Sequence, residues 1–569
     1  MKSFLILVII LCLFHQGFGQ YSRHIVRFRD KKGTLHSIAS PATYLSQKSV
    51  ERRNKQKIII DSTDLPVSRA YLDSIRSIPN VSVMNTSKWL NQALIQTTDS
   101  LALNRIRQFS FVKTATAIGL KANPDKDTII QKKFTETITP LPETIVRNQI
   151  QRTAKVSDTL SYGATYNQIH IHEGEYLHNL GYKGEGMTIA ILDAGFFGYK
   201  TNPAVDSVRL QNRILAEYDF VKNELSVNED DAHGFQCLSI IAANRPGIMV
   251  GSAPRARFYL FRTEDVFSEY PVEEQYWVVA AEYADSAGVD MISSSLGYSD
   301  FDDPVFNHEY RERDGNTAMV TIGADLAAKK GIIVMNSAGN SGNLGTDYKF
   351  VSTPADGDSV VAVGAVDANG NIAPFSSWGP NGAGKVKPDI VSIGLGTILA
   401  NNSGNPASGN GTSFSNPNAA GLIACLWQAF QDFTNIEIVD AVKKSADRYL
   451  NPHPRYGYGI PNFRKAYGIL ATERVIRNAI TILGDKFIKA YPVPFTGRIN
   501  VLFKAPSTGK ANLQVFDVAG QLIESMNVPV TQGEIKVIQF YSAVRLPRGI
   551  YFIRYQDGTT NQLLKVVKN

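Results

Sequence analysis

Between about residues 168 and 470 the chain alternates continuous, mainly apolar runs with segments of helical periodicity, and no other feature restricts its fold so strongly. The runs Met187–Leu192, Phe258–Arg262, Asp290–Ser294, Ile332–Asn336 and Val360–Ala365 lack the strict polar alternation of a half-exposed sheet. Strands of that kind belong to a parallel sheet whose two faces are both covered by helices. Helical patterns at Val272–Ala287 and Asp325–Lys329 supply such cover. The expectation is a doubly wound, mainly parallel α/β domain.

A chain of 569 residues exceeds one ordinary core, and about three folding units follow from the usual ~100–200 residues per domain. From Tyr21 to about Ala117, short strand patterns (His24–Phe28, Val81–Thr86, Leu94–Thr97, Phe111–Thr116) alternate with helical ones (Ser46–Gln56, Val67–Ser77, Asp99–Gln108), which predicts a small α+β domain. Polar residues and Asn123, Pro124, Pro140 and Pro142 then predict an exposed linker to about Ser157. After a short helix near Ala471–Ala479, the strand patterns Ile499–Lys504, Asn512–Asp517, Ile535–Phe540 and Gly549–Tyr555 predict a small β-sandwich. The expected boundaries are 1–19 for a signal peptide, 20–118 for the first domain and 119–157 for the linker. The α/β domain takes 158–470, a second linker 471–486 and the sandwich 487–569.

The signal peptide is read from Lys2, the apolar run Phe4–Phe14, and the small residues Gly17 and Gly19 before a cut. Ile10 and Leu11, before Cys12, lack the small side chains of a lipoprotein signal. No later segment reaches the ~20 apolar residues a membrane helix needs, so no integral membrane segment is expected in the mature chain. Only Cys237 and Cys425 follow the signal, and two cysteines on separate helices are read as buried free thiols rather than a disulfide framework. The net charge of +7 comes partly from the stretch Lys48–Lys57, read as a solvated helix face and not a nucleic-acid site.

Three motifs carry chemistry. Ile189–Gly195 is an apolar strand ending in a carboxylate, Asp193, followed by Gly195; reactive groups of α/β sheets collect at such strand ends. Asp231-Ala232-His233-Gly234 opens an apolar helical segment that Asp230 or Asp231 can cap. Gly411-Thr412-Ser413 runs through Pro417 to Gly421 and on into an apolar helix. Proline is tolerated only near a helix start, so Ser413 is expected at the N-terminus with its N–H free to face an oxyanion.

Asp-x-Gly, His-Gly and Gly-Thr-Ser-x-x-x-Pro, in the order Asp, His, Ser, resemble the three signatures of the subtilase family; the order differs from that of chymotrypsin-like enzymes and α/β-hydrolases. Ser295-Leu296-Gly297 resembles the family's substrate-pairing strand, and Ser337-Ala338-Gly339-Asn340 the segment with its oxyanion asparagine. The resemblance implies a secreted serine endopeptidase with catalytic Asp193, His233 and Ser413. It further implies Asn340 at the oxyanion and a substrate contact formed by Ser295, Leu296, Gly297, Ala338 and Gly339. Phe235-Gln236-Cys237 after Gly234, and Gly394 without a preceding proline, depart from the family pattern. A Ser-Glu-Asp sedolisin is disfavoured by His233 and Asn340, and a protease-dead binding protein by the intact triad.

The first domain, with Ile25–Phe28, Glu51-Arg52-Arg53 and Ser87–Asn91, resembles bacterial subtilase propeptides, which implies a folding template and an inhibitor whose tail occupies the cleft. The maturation region would then lie between Ile118 and Ser157. Tyr491–Phe495, Val515–Gly520 and Leu546–Tyr551 resemble the C-terminal sorting domain of type IX secretion substrates. The implied route runs through the periplasm to the surface or medium, with the secretion machinery as partner alongside protein or peptide substrates. No cofactor is expected; structural calcium is common in the family, but no ligand cluster is identified.

Overall fold

The computed structural model describes residues 21–121, 133–134, 136–141 and 158–569. The expected signal peptide and most of the expected linker 119–157 lie outside them. The chain divides into two compact units, one ending at Tyr467 and the other beginning at Gly468.

The core of the first unit is a seven-stranded sheet in the order Ile390–Ile393, Val360–Val366, Ile333–Ser337, Met291–Ser294, Thr188–Asp193, Arg257–Arg262, Ile214–Asp219. Every neighbouring pair is parallel. The central runs are buried at every residue, as in Thr188–Asp193 and Val360–Val366, because helices cover both faces. Trp277, Ala281, Val320 and Ala324, from helices Val272–Ala287 and Met319–Lys329, share one core with Ala190, Leu192, Ile292 and Val334. Helices His233–Ala242 and Thr412–Ala429 pack together through Cys237, Ile240 and Phe414. The doubly wound architecture is therefore as expected.

The N-terminal α+β domain is a four-stranded antiparallel sheet, ordered Ser82–Ser87, Gln92–Gln96, Tyr21–Phe28, Val112–Lys121. Both faces are used, by strand alternation. Val26 and Phe28 pack with Leu72, Ile75, Leu103 and Ile106 of its own helices. Ile25 and Leu94 instead join Tyr276 and Trp277 in the core beside the parallel sheet. The domain is thus docked on helix Val272–Ala287.

The basic stretch differs from expectation. Arg52 and Arg53, on helix Gln47–Gln56, are buried rather than solvated. Arg52 donates to Asp285 Oδ1 at 2.5 Å, and Arg53 bridges Asp64 and Asp285 at 2.8 Å each. A run of positive charge placed against one buried carboxylate is a docking device, which the local sequence does not reveal because Asp285 lies more than two hundred residues away.

In the second unit, two antiparallel sheets form the sandwich: Ile488–Tyr491, Ile499–Lys504 and Ile535–Phe540 in one, and Leu522–Val530, Gly509–Phe516, Gly549–Gln556 and Asn561–Lys568 in the other. Tyr551, Ile553 and Tyr555 alternate inward to meet Val501, Phe503 and Leu513. Most of the expected linker 471–486 is helical, since one helix runs Phe463–Leu483; Ala479 and Leu483 give it an apolar contact on Leu502.

Candidate active site

Asp193 ends its strand at the C-terminal edge of the parallel sheet, where its Oδ1 accepts from Ala194 N–H at 2.8 Å and His233 Nδ1 at 2.6 Å. Both side chains are buried. His233 opens its helix with its own N–H held by Asp231 Oδ1 at 2.8 Å, so the aspartate beside it fixes the helix entry. The two motifs interlock through their glycines. Gly195 has φ +145°, and a Cβ there would stand 2.8 Å from Asp231 N; one on Gly234 would stand 2.5 Å from Gly195 O. Any larger side chain would push His233 away from Asp193.

Ser413 is the second residue of helix Thr412–Ala429, as the proline position requires. Pro417 has no N–H to donate to the carbonyl one turn back, which is that of Ser413. That carbonyl instead accepts from Ser295 Oγ at 2.8 Å and Cys237 Sγ at 3.4 Å. The cysteine after the His-Gly motif thus has a structural task, and burial pushes its thiol pKa well up. Cys237 and Cys425 are both buried and free.

Asn340 is oriented by Thr412, whose N–H and hydroxyl donate to its Oδ1 at 2.8 and 2.9 Å. Its amide nitrogen then faces the cleft. The cleft holds about 300 Å³ and is lined by Ser295, Leu296, Gly297, Gly339, Asn340 and Ser413 among others. Ala338 is not in that lining: it is fully buried, with its N–H on Val363 O and its carbonyl on Ser352 N.

Residues 133–134 and 136–141 of the chain, expected as exposed linker, enter the cleft, and Lys133, Phe134 and Glu136 line the space that remains. Phe134 stacks on the His233 ring with centroids 4.2 Å apart. Glu136 Oε1 accepts from Ser413 Oγ at 3.3 Å and Asn340 Nδ2 at 3.4 Å, and lies 3.9 Å from His233 Nε2. His233 Nε2 has no hydrogen-bond partner among the described residues. Thr139 and Pro140 pair antiparallel with Ser408 and Ala407, adding a strand to the hairpin that leads into Ser413. No strand pairing with Ser295–Gly297 occurs among the described residues. Further along, Lys133 reaches Glu264, Glu269 and Glu273, a cluster that no local motif announces.

Burial alone would lower the His233 pKa, but the Asp193 carboxylate outweighs it, with Glu136 and Asp231 adding to the rise, and the imidazole is held up at about 9. With Glu136 against Ser413, the hydroxyl has a carboxylate instead of a neutral imidazole as its partner. The serine side of the cleft is thus occupied by the chain's own carboxylate.

Residues 184–459 match the Subtilase family, residues 23–133 the Peptidase S8 propeptide domain of Bacteroidota, and residues 489–569 the Secretion system C-terminal sorting domain. Subtilisin E of Bacillus subtilis (strain 168) is 30% identical over 294 residues, covering 51% of this chain and 68% of that protein. Subtilisin of Bacillus pumilus is 30% identical over 294 residues, covering 51% of this chain and 94% of its own. The solved structure of MycP1 with its N-terminal propeptide removed aligns with a TM-score of 0.43 at 21% identity, covering 53% of this chain and 96% of that one. With an Asp, His and Ser in subtilase order, brought to one cleft by a seven-stranded parallel sheet, and with subtilisins matched over most of their length, the chain belongs to the subtilase family of serine endopeptidases and carries both a propeptide and a secretion sorting domain.

Proposed function

We propose that this chain is the precursor of an exported endopeptidase, held inactive by its own tail and working through Asp193, His233 and Ser413 once that tail leaves. The observation that carries this is the 2.6 Å contact from His233 Nδ1 to Asp193, with Nε2 turned to the spot shared by Ser413 Oγ and Glu136. Departure of Glu136 frees the hydroxyl to bond to Nε2. His233 then takes its proton as Oγ attacks a peptide carbonyl, and Asp193 holds the tautomer and stabilises the imidazolium. Asn340 Nδ2 and the Ser413 N–H stabilise the tetrahedral oxyanion; a carboxylate oxygen of Glu136 now marks that side of the cleft. His233 gives that proton to the leaving amine as the C–N bond breaks and the acyl-enzyme forms; the neutral imidazole then deprotonates a water that attacks the ester carbonyl, and the proton returns to Ser413 Oγ as the acid is released. Every group in these steps belongs to the protein, so the reaction is proposed to need no cofactor, and any calcium would be structural.

Ser295, Leu296, Gly297 and Gly339 are proposed to contact the substrate backbone. The propeptide acts as inhibitor and the sorting domain as the handle for the secretion machinery. The sorting domain implies export to the surface or medium; the route is proposed to cross the periplasm. No helix of the described residues is long and apolar enough to cross a membrane.

The test is fluorophosphonate labelling of the purified mature protein. Covalent label at Ser413 is expected, and none on Asp193→Asn or Ser413→Ala protein processed in trans; an unlabelled but folded mature protein would refute the assignment.

A further inference from the structure

Three glutamates, Glu264, Glu269 and Glu273, converge where the cleft continues away from Ser413 on the N-terminal side of the bound tail. They close on one ammonium. Lys133 Nζ lies 3.0 Å from Glu264, 2.9 Å from Glu269 and 2.5 Å from Glu273. The cage is held from outside: the Tyr298 hydroxyl donates to Glu264, while the N–H groups of Asp265 and Tyr270 donate to Glu273 at 2.8 and 3.1 Å. Among the described residues no other cation pairs with any of the three. One oxygen of Glu269 is left without a partner even with Lys133 present.

Carboxylates packed this closely repel one another, and burial penalises each charge. Accordingly Glu269 is pushed up to about 8 and Glu273 well above the usual carboxylate range, first by burial. A single cation inside the cage offsets that repulsion. The cation present belongs to the segment that must leave the cleft before any substrate can bind, since Phe134 covers His233 and Glu136 covers Ser413. Removal of Lys133 leaves an acidic pocket continuous with the cleft at Ser413.

We propose that this pocket selects substrates carrying lysine or arginine on the N-terminal side of the cleaved bond, two to four residues from it, with Lys133 occupying in cis the place that a substrate's basic side chain takes in trans. The spacing follows from the tail itself: Lys133 fills the cage, Phe134 covers the histidine, and Glu136 reaches the serine. The selectivity arises from desolvation. A basic side chain neutralises the buried carboxylates, whereas an apolar one of equal length leaves their charge uncompensated or forces them to take protons. The inference rests on the peptidase reading above and names its substrate class.

The experiment is cleavage of a random peptide library by the mature enzyme, read by mass spectrometry, followed by kinetics on a matched pair of peptides with Lys or Met at the selected position. Lys or Arg enriched at one position on the N-terminal side, and a kcat/KM ratio for Lys over Met of about tenfold or more, are expected. Glu269→Gln and, separately, Glu273→Gln should draw that ratio toward one; Glu269 is the more exposed and the less bonded of the two, so its variant tests the pocket even if the other fails to fold. Efficient cleavage without a basic preference overturns the inference and leaves the peptidase reading standing. A preference unchanged in both variants also overturns it. Absence of all cleavage by a protein that fluorophosphonate does not label overturns both.

Discussion

The N-terminal region grips the peptidase body in two chemically different ways. At helix Gln47–Gln56 the contact is a buried ion-pair network: Arg52 and Arg53 meet Asp285, while Lys330 reaches the same Asp64 that Arg53 binds, at 2.9 Å, and one donor, Arg53 Nε, lacks a hydrogen bond. At the tail the contact is acidic and incompletely satisfied, with oxygens of Glu136 and Glu269 and the His233 Nε2 lacking hydrogen-bond partners. A buried network in which each carboxylate meets more than one cation is costly to open. The tail's one ammonium faces three carboxylates and three polar atoms there go unpartnered, so this contact is the less completely compensated of the two. The first suits a template on which the sheet assembles, the second a plug to be removed.

The sharpest break in that comparison is Ser413→Ala. If the tail leaves only through self-cleavage, the purified variant keeps its N-terminal domain and loses about a millionfold in kcat, a magnitude taken from a subtilisin. A normal mature form appearing in a protease-free preparation would show that the plug is removed by another route. The same variant supplies a stable precursor for the next measurements.

In that background, Arg53→Met strands the buried carboxylates of Asp64 and Asp285 with fewer cations and should lower stability against urea by about 3–5 kcal/mol. Lys133→Met should lose less, because its glutamates can relieve themselves by taking protons. Equal losses at the two sites would erase the distinction between template and plug.

Asn340→Ala tests the cleft after the plug has gone. Its amide is proposed to serve the tetrahedral intermediate and not the ground-state carbonyl, so kcat should fall by about 10²–10³, a range also known from a subtilisin, while KM barely moves. Near-normal turnover by processed enzyme would remove this residue from the mechanism.

The grouping of Asp193, His233 and Ser413 was legible because each sits in a contiguous motif whose local conformation is dictated by neighbours: a strand end at Asp193, a helix start held by Asp231 at His233, and a proline one turn after Ser413. Even the Cys237 departure becomes intelligible once Pro417 is seen to orphan the Ser413 carbonyl. Residues whose meaning depends on distant partners were misread or missed. Arg52 and Arg53 looked like solvent charges because Asp285 is remote in sequence, and Lys133 looked like linker because its three glutamates lie over a hundred residues on. Ala338 was carried into the substrate contact with Gly339 and Asn340, yet its backbone is spent on Val363 and Ser352.

The subtlest consequence concerns pH. His233 is held up at about 9 in the plugged form, against 6.5 for the ordinary group. A raised folded-state pKa means that its protonated form favours the fold, so this contribution is complete below about pH 6.5 and is lost as pH rises through about 9. The groups facing the imidazole are Asp193, Glu136, Asp231 and the thiol of Cys237, which burial keeps neutral. Of the charged groups among them, only Glu136 leaves with the plug. Glu136→Gln in the Ser413→Ala precursor should therefore lower the His233 midpoint, read by NMR titration of the ring protons, and narrow the alkaline end of the stability window. The helix contact should not respond over the same range, since burial fails to raise Asp285 against its surrounding cations and Arg53 is held above its usual value by Asp285. An unchanged His233 midpoint in Glu136→Gln would mean that the carboxylate does not face the imidazole in solution, and the plug would then act by steric cover alone.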